Sequence, residues 1–91
     1  MKLLWTAEAW EEFVHCLEIE PEIAAKIVEL LKDVRRSPFT GLGKPEPLRG
    51  SLSGWWSRRI TREHRLVYRA IGQGADQRVE IVQCRYHYER R

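Results

Sequence analysis

Apolar positions in the first third of the chain recur at helical spacing. Ile23, Ile27, Leu30, Leu31 and Val34 fall on one stripe, with Glu22, Lys26, Glu29, Lys32 and Asp33 on the other faces. That is the pattern of an amphipathic helix covering a core on one side. Pro21 suits its first turn, where a missing N–H has no intrahelical acceptor to lose. Arg35 and Arg36 complement the negative C-terminal end, and Pro38 stops it. Ahead of it, Ala9, Trp10, Phe13, Val14 and Leu17 mark the buried face of an earlier helix. Thr6 can cap that helix, and Glu8 lies near the positive end of its dipole. Lys2–Thr6 reads as a short strand leading in. Ile19-Glu20-Pro21-Glu22 separates the two helices, which predicts a helical hairpin.

The pattern changes at Ser37. Residues 37–47 hold three prolines and two glycines, the chemistry of an ordered loop or a lead-in to a strand. Pro45 and Pro47 bracket Glu46, and the residue before a proline is biased toward extended backbone. Beyond them the period shortens to two. Trp55–Ile60, His64–Ile71 and Arg78–Cys84 read as strands, and Gly72–Gln77 as a hairpin loop. On the strand from His64, alternation sets Arg65, Val67 and Arg69 on one face and Leu66, Tyr68 and Ala70 on the other. Two helices can cover the apolar face, which leaves a face of arginines.

Composition narrows the class. Ninety-one residues make one domain, 1–91, and a chain this short buries ~60% of its unfolded surface. At 43% hydrophobic and 32% charged it is too apolar for disorder. No apolar run approaches the ~20 residues of a membrane helix, and the first residues do not resemble a secretory leader. Cys16 and Cys84 are too few for a disulfide framework or a four-ligand zinc site. The expected location is the cytoplasm, with no membrane partner.

Charge is divided unevenly. Residues 1–36 carry 5 Lys/Arg against 8 Asp/Glu; residues 37–91 carry 11 against 5. The overall +3 therefore conceals a −3 helical half and a +6 strand half. Arg58, Arg59, Arg62, Arg65 and Arg69 form a stripe suited to phosphate.

Glu46, Arg65, His87 and Tyr88 are residue types that can cleave RNA without a metal. A base takes the ribose 2′-hydroxyl proton, an acid protonates the departing 5′-oxygen, and arginine stabilises charge on the phosphate. Taken one at a time, each also fits a plain role: a solvated loop carboxylate, an ion-pair partner, a surface histidine, a packing tyrosine. His15 and His64 read as structural or supporting, and Cys84 as a small core residue. Trp55 and Trp56 are adjacent on a strand, so one joins the core while the other can stack on a base.

Four ordered blocks resemble a known family. Gly43-Lys44-Pro45-Glu46-Pro47-Leu48, Leu52–Thr61, His64-Arg65-Leu66-Val67-Tyr68 and Cys84-Arg85-Tyr86-His87-Tyr88 are similar to the YoeB toxins, the Txe/YoeB branch of the RelE/ParE superfamily. Trp5, Trp10, Lys32-Asp33 and Arg35-Arg36 through Pro38-Phe39 extend the resemblance over essentially the whole chain. It implies an α+β fold, two N-terminal helices packed on a twisted, mainly antiparallel sheet. It implies a ribosome-dependent endoribonuclease that cuts mRNA in the ribosomal A site and inhibits translation, with no cofactor and no metal.

Carried over residue by residue, Glu46 is the general base and His87 the general acid. Arg65 stabilises the transition state, and Tyr88 positions the substrate. Lys44, Arg49, Trp55, Arg58, Arg59 and Glu63 make up the expected RNA-binding set, with Arg49 standing where lysine is common. The implied partners are a YefM-like antitoxin, the ribosome with its mRNA, and a second copy in a homodimer. Three places depart from the family pattern: a longer Gly72–Gln77 loop, Gly50-Ser51 in place of more polar residues, and Glu89-Arg90-Arg91 beyond the usual terminal tyrosine. Two other readings stand beside this one. One is an RNA- or ribosome-binding module that does not cut; the other is a ParE-like toxin acting on DNA gyrase.

Overall fold

The computed structural model describes residues 1–85; the candidates His87 and Tyr88 lie outside the described residues. Strand β1 (Lys2–Trp5) leads into helix α1 (Ala7–Ile19), and α2 (Pro21–Arg36) follows after one residue. Thr6 caps α1 by accepting from the Ala9 amide at 3.1 Å, and Pro21 opens α2. The second half supplies β2 (Glu46–Pro47), β3 (Trp56–Arg59), β4 (Arg65–Ile71) and β5 (Arg78–Gln83). Single 3-10 turns at Gly50–Leu52 and Gly74–Asp76 lie in the connections.

The five strands form one sheet in the order β1-β5-β4-β3-β2. β1 runs parallel to β5, and every other neighbouring pair is antiparallel. This is the expected α+β arrangement of two helices on a mainly antiparallel sheet. Both helices pack on one sheet face. Phe13, Cys16, Ile27, Leu30, Leu31 and Val34 meet Leu66, Tyr68, Val79, Ile81 and Cys84 in a single core. Leu66 and Tyr68 lie on the covered face and Arg65 and Arg69 on the other, as alternation along β4 requires.

Two expectations about the helices are corrected. Trp10 and Leu17 are not buried; they are 49% and 51% exposed. The buried line on α1 is narrower, Ala9, Phe13 and Cys16, because the helix crosses the sheet edge near β1 and β5 and not its middle. Trp10 instead lies edge-on to Trp5, ring centroids 5.6 Å apart. Asp33 was expected on an outer face of α2 and is buried, for a reason that lies in β3.

β4 and β5 are joined with one irregularity. Arg69 pairs with Glu80 and Val67 with Gln83, so β5 uses three residues where β4 uses two. This bulge turns the end of β5 over. Val79 and Ile81 face the helices, whereas Gln83, paired with Val67, shares the opposite face. Cys84 then returns to the core, where its amide donates to Glu12 Oε1 at 2.9 Å.

Candidate active site

The sheet face away from the two helices is laid out by strand register. Glu46 pairs with Ser57, Ser57 with Val67, and Val67 with Gln83, forming one row across four strands. Directly paired residues share a face with Cβ atoms ~5 Å apart. Ser57, Val67 and Gln83 are buried, and exposed Glu46 ends the row at the β2 edge. One step along, Arg59 pairs with Arg65. One step the other way, Trp55 and Arg69 lie together, and Arg69 pairs with Glu80. The result is a shallow trough, with a buried floor, a carboxylate at one end and an arginine pair along one wall.

Arg59 and Arg65 are like charges directly opposite each other, an arrangement that disfavours the sheet unless something anionic sits between them. Arg65 is oriented by the β3–β4 turn. Its Nη1 donates to the carbonyls of Thr61, His64 and Arg62 at 2.9, 3.1 and 3.2 Å. Thr61 Oγ1 in turn accepts from the amides of His64 and Glu63, which shapes that turn. Glu63 is exposed at its tip and His64 is half-buried.

Glu46 is set by the backbone ahead of it. Lys44 has φ 52, the left-handed region, immediately before Pro45. A non-glycine residue there costs about 1–3 kcal/mol, and proline disfavours helical backbone at the preceding position. The kink is held because Gly43 O accepts the Arg59 amide at 2.7 Å. That bond ties the entry to β2 to the end of β3, and Glu46 follows it in register with Ser57. Lys44 and Arg49 are both exposed near this edge.

Arg58 requires a correction. It was expected among the RNA-contacting arginines, but its side chain is 0% exposed. Strand alternation puts it on the helix side, opposite Leu66, while Arg59 faces the trough. All five of its N–H donors are used. Nε donates to Tyr68 Oη at 3.0 Å; Nη1 donates to Asp33 Oδ2 at 2.6 Å and Leu42 O at 3.0 Å; Nη2 donates to Ser37 O at 2.6 Å and Thr40 O at 2.8 Å. Tyr68 Oη in turn donates to Pro38 O at 2.6 Å. The guanidinium thus gathers the 37–42 loop, which leads to Glu46, onto the sheet. Asp33 is held down at about 2 by the Leu42 amide first, then by Arg58 and Arg36. Burial pushes the Tyr68 phenol up.

The two tryptophans divide as adjacency demands. Trp56 packs against the helix-side core with Phe39, ring centroids 4.8 Å apart. Trp55 is half-buried in the trough, with the Arg69 guanidinium 4.5 Å from its ring centroid. Arg69 shares this face with Arg65, as alternation along β4 predicts, although it was not among the candidate RNA-binding residues. Among the described residues no three His, Cys, Asp or Glu side chains gather as a metal site. No helix there is long and apolar enough to cross a membrane.

Comparison with known proteins bears on this geometry. Residues 5–88 match the family model described as the YoeB-like toxin of bacterial type II toxin–antitoxin systems. The chain is 53% identical over 88 residues to the toxin YoeB of Escherichia coli K12, covering 97% of this chain and all of that one. Its fold superposes on a YoeB/ParE toxin from Agrobacterium tumefaciens with a TM-score of 0.95 at 50% identity, covering 97% and 100% of the two chains. A heterotetrameric YoeB–YefM complex from Staphylococcus aureus matches with a TM-score of 0.86 at 37% identity, covering 97% and 98%. YoeB from that species is also known as a dimer. Helices on one sheet face, a trough on the other and this full-length likeness agree: the chain belongs to the YoeB-like toxin family of bacterial type II toxin–antitoxin systems.

Proposed function

We propose that this protein is a ribosome-dependent endoribonuclease that cuts mRNA in the ribosomal A site and so arrests translation. The observation that supports it best is the register that sets Glu46 beside the Arg59–Arg65 pair on the sheet face away from the helices. In the proposed reaction the Glu46 carboxylate takes the proton of a ribose 2′-hydroxyl. The freed oxygen attacks the adjacent phosphorus, and the bond to the 5′-oxygen breaks. His87, in the family's terminal motif, returns a proton to that leaving oxygen, giving a 2′,3′-cyclic phosphate and a 5′-hydroxyl end. Arg65 and Arg59 stabilise the extra negative charge on the phosphoryl oxygens. Tyr88 positions the substrate. Among the described residues the carboxylates of this face lie beside arginines, Glu46 near Arg59 and Arg65 and Glu80 bonded to Arg69, and the arginines fill the role of charge stabilisers.

The same reading assigns a YefM-like antitoxin and a toxin homodimer as partners, supported by the Staphylococcus aureus assemblies. An antitoxin segment that covers the trough would bring carboxylates to Arg59 and Arg65. Primer extension on translated mRNA tests the reaction. The proposal expects discrete breaks near codon boundaries with the natural chain and none with Glu46→Ala, Arg65→Ala or His87→Ala. Ribosome stalls without broken mRNA would mean a binding module, and full toxicity of all three variants would reject the assignment.

A further inference from the structure

The far end of the trough holds a guanidinium that the proposed cleavage does not use. Arg69 lies over the Trp55 ring at 4.5 Å, and its Nε donates to Glu80 Oε1 at 2.8 Å. Glu80 Oε2 faces Arg78 Nε at 3.7 Å. The Arg69 side chain is nevertheless 42% exposed, and no hydrogen bond among the described residues uses its two terminal nitrogens. The Trp55 ring bounds the group on one side and the bond to Glu80 holds its Nε, so less rotamer freedom remains to be lost on binding. The free edge carries two terminal nitrogens in the fork spacing that matches two oxygens of one phosphodiester. Arg69 and Arg78 together outweigh Glu80 by one positive charge. Four residues along β4 put Arg69 ~13 Å from Arg65 on the same face, within reach of one nucleic-acid strand.

The geometry points to a second phosphate subsite, in which Arg69, held between Trp55 and Glu80, grips an mRNA backbone phosphate flanking the nucleotide that is cut. This rests on the endoribonuclease reading above. It also revises the expected role of Trp55. The ring face turned to Arg69 is occupied, so Trp55 serves as the platform of an arginine fork and not as a stacking surface for a base on that side.

The test measures binding with cleavage switched off, in a Glu46→Gln background. Arg69 is kept or changed to Ala, Met or Lys, and affinity is measured for 70S ribosomes with and without mRNA over a range of salt. Arg69→Ala should weaken binding to mRNA-programmed ribosomes about tenfold, the worth of one charge-assisted bond pair at an exposed site. It should also reduce the salt slope by about 0.7. Arg69→Lys should weaken it too, since an ammonium neither stacks flat nor forks. Arg69→Met keeps Trp55 covered, so the same loss in that variant, with an unchanged melting temperature, excludes a folding defect. Ribosomes without mRNA should not distinguish the variants. Equal affinity and slope for all four would overturn the subsite. An equal loss with and without mRNA would overturn the assignment to mRNA and place the phosphate on ribosomal RNA. Because no cutting is scored, a failure of the endoribonuclease reading would appear in the primer-extension experiment and leave this measurement standing.

Discussion

Arg58 Nη1 and Asp33 Oδ2 are 2.6 Å apart in the core, joining β3 to α2 across 25 residues of sequence. The pair does not stand alone. The guanidinium also holds three carbonyls of the loop that leads to Glu46, so the ion pair supports the site from behind. Replacing Arg58 by alanine leaves a buried carboxylate and three unsatisfied carbonyls. The expected cost is about 3–5 kcal/mol, which for a domain of this size lowers Tm by more than about 12 °C. Lysine should rescue little, because three donors on a flexible stem cannot meet five bonds in a plane. A thermal melt decides it. An Arg58→Ala protein with native Tm would return Arg58 to the RNA-contacting set.

Asp33 gives that network a pH dependence. Its carboxyl is held at about 2, below the ordinary 3.8, so the folded state favours the charged form. A lowered folded value contributes stability above the unfolded value and loses it as pH falls through the folded one. The natural chain should therefore lose Tm steeply between about pH 4 and pH 2. Asp33→Asn should start from a lower Tm at neutral pH and change less across that window. Parallel curves for the two proteins would show that Asp33 is not the group responsible.

Much of this arrangement was legible from the sequence, and the parts that were not share a cause. The stripe Ile27, Leu30, Leu31, Val34 located α2 because its spacing is local. Arg65 and Arg69 were placed on one face because alternation is local too. Arg58 was misread because an arginine next to Arg59 gives no sign of which one turns inward. Its partner is 25 residues away, and Asp33 sits among residues that look like a solvated helix face. The bulge that turns Gln83 toward Val67 leaves only a faint mark in Arg78–Cys84, where adjacent apolar Ile81 and Val82 break the alternation without fixing which way the chain turns. Glu46, Arg59 and Arg65 came together through the family resemblance; only the register of β2, β3 and β4 supplied a physical reason for it.

Gly41 should be intolerant of any side chain. It sits at φ +117, and a Cβ there would collide with Asp33 Oδ2. Gly41→Ala must therefore strain the backbone and displace the carboxylate that anchors Arg58. Gly50, at φ +65 with nothing near its missing Cβ, carries only the backbone cost. Urea midpoints should fall clearly further for Gly41→Ala than for Gly50→Ala. Equal midpoints would mean the loop can move away from Asp33 freely.

Both cysteines should be silent toward thiol reagents while the chain is folded. Cys16 and Cys84 are buried, and burial pushes both thiols up. The Cys84 thiol also donates to Ala9 O at 3.4 Å. The thiolate is the reactive form, so an aromatic disulfide reagent at neutral pH should release no colour from the native protein and two equivalents in denaturant. Rapid labelling of one thiol under native conditions would show that the contact between α1 and the end of β5 opens easily.

The Arg59–Arg65 pair should separate function from stability in an asymmetric way. Both arginines face the trough, and their mutual repulsion disfavours the sheet by roughly 0.2–1 kcal/mol. Arg59 uses only its backbone amide to hold Gly43, and that bond survives any substitution of the side chain. Arg59→Gln should thus keep or slightly raise Tm while lowering cleavage. Arg65 differs, because its guanidinium also caps the β3–β4 turn through three carbonyls. Arg65→Gln relieves the same repulsion but takes the side-chain donor from the Thr61 and Arg62 carbonyls, while His64 O keeps the Ile60 and Thr61 amides, so its Tm should fall below that of Arg59→Gln. Both changes should reduce the salt slope of binding to programmed ribosomes by about 0.7 per lost phosphate contact. If Arg59→Gln destabilised the fold as much as Arg65→Gln, Arg59 would have a structural partner and the picture of two charges held apart for a phosphate would fail.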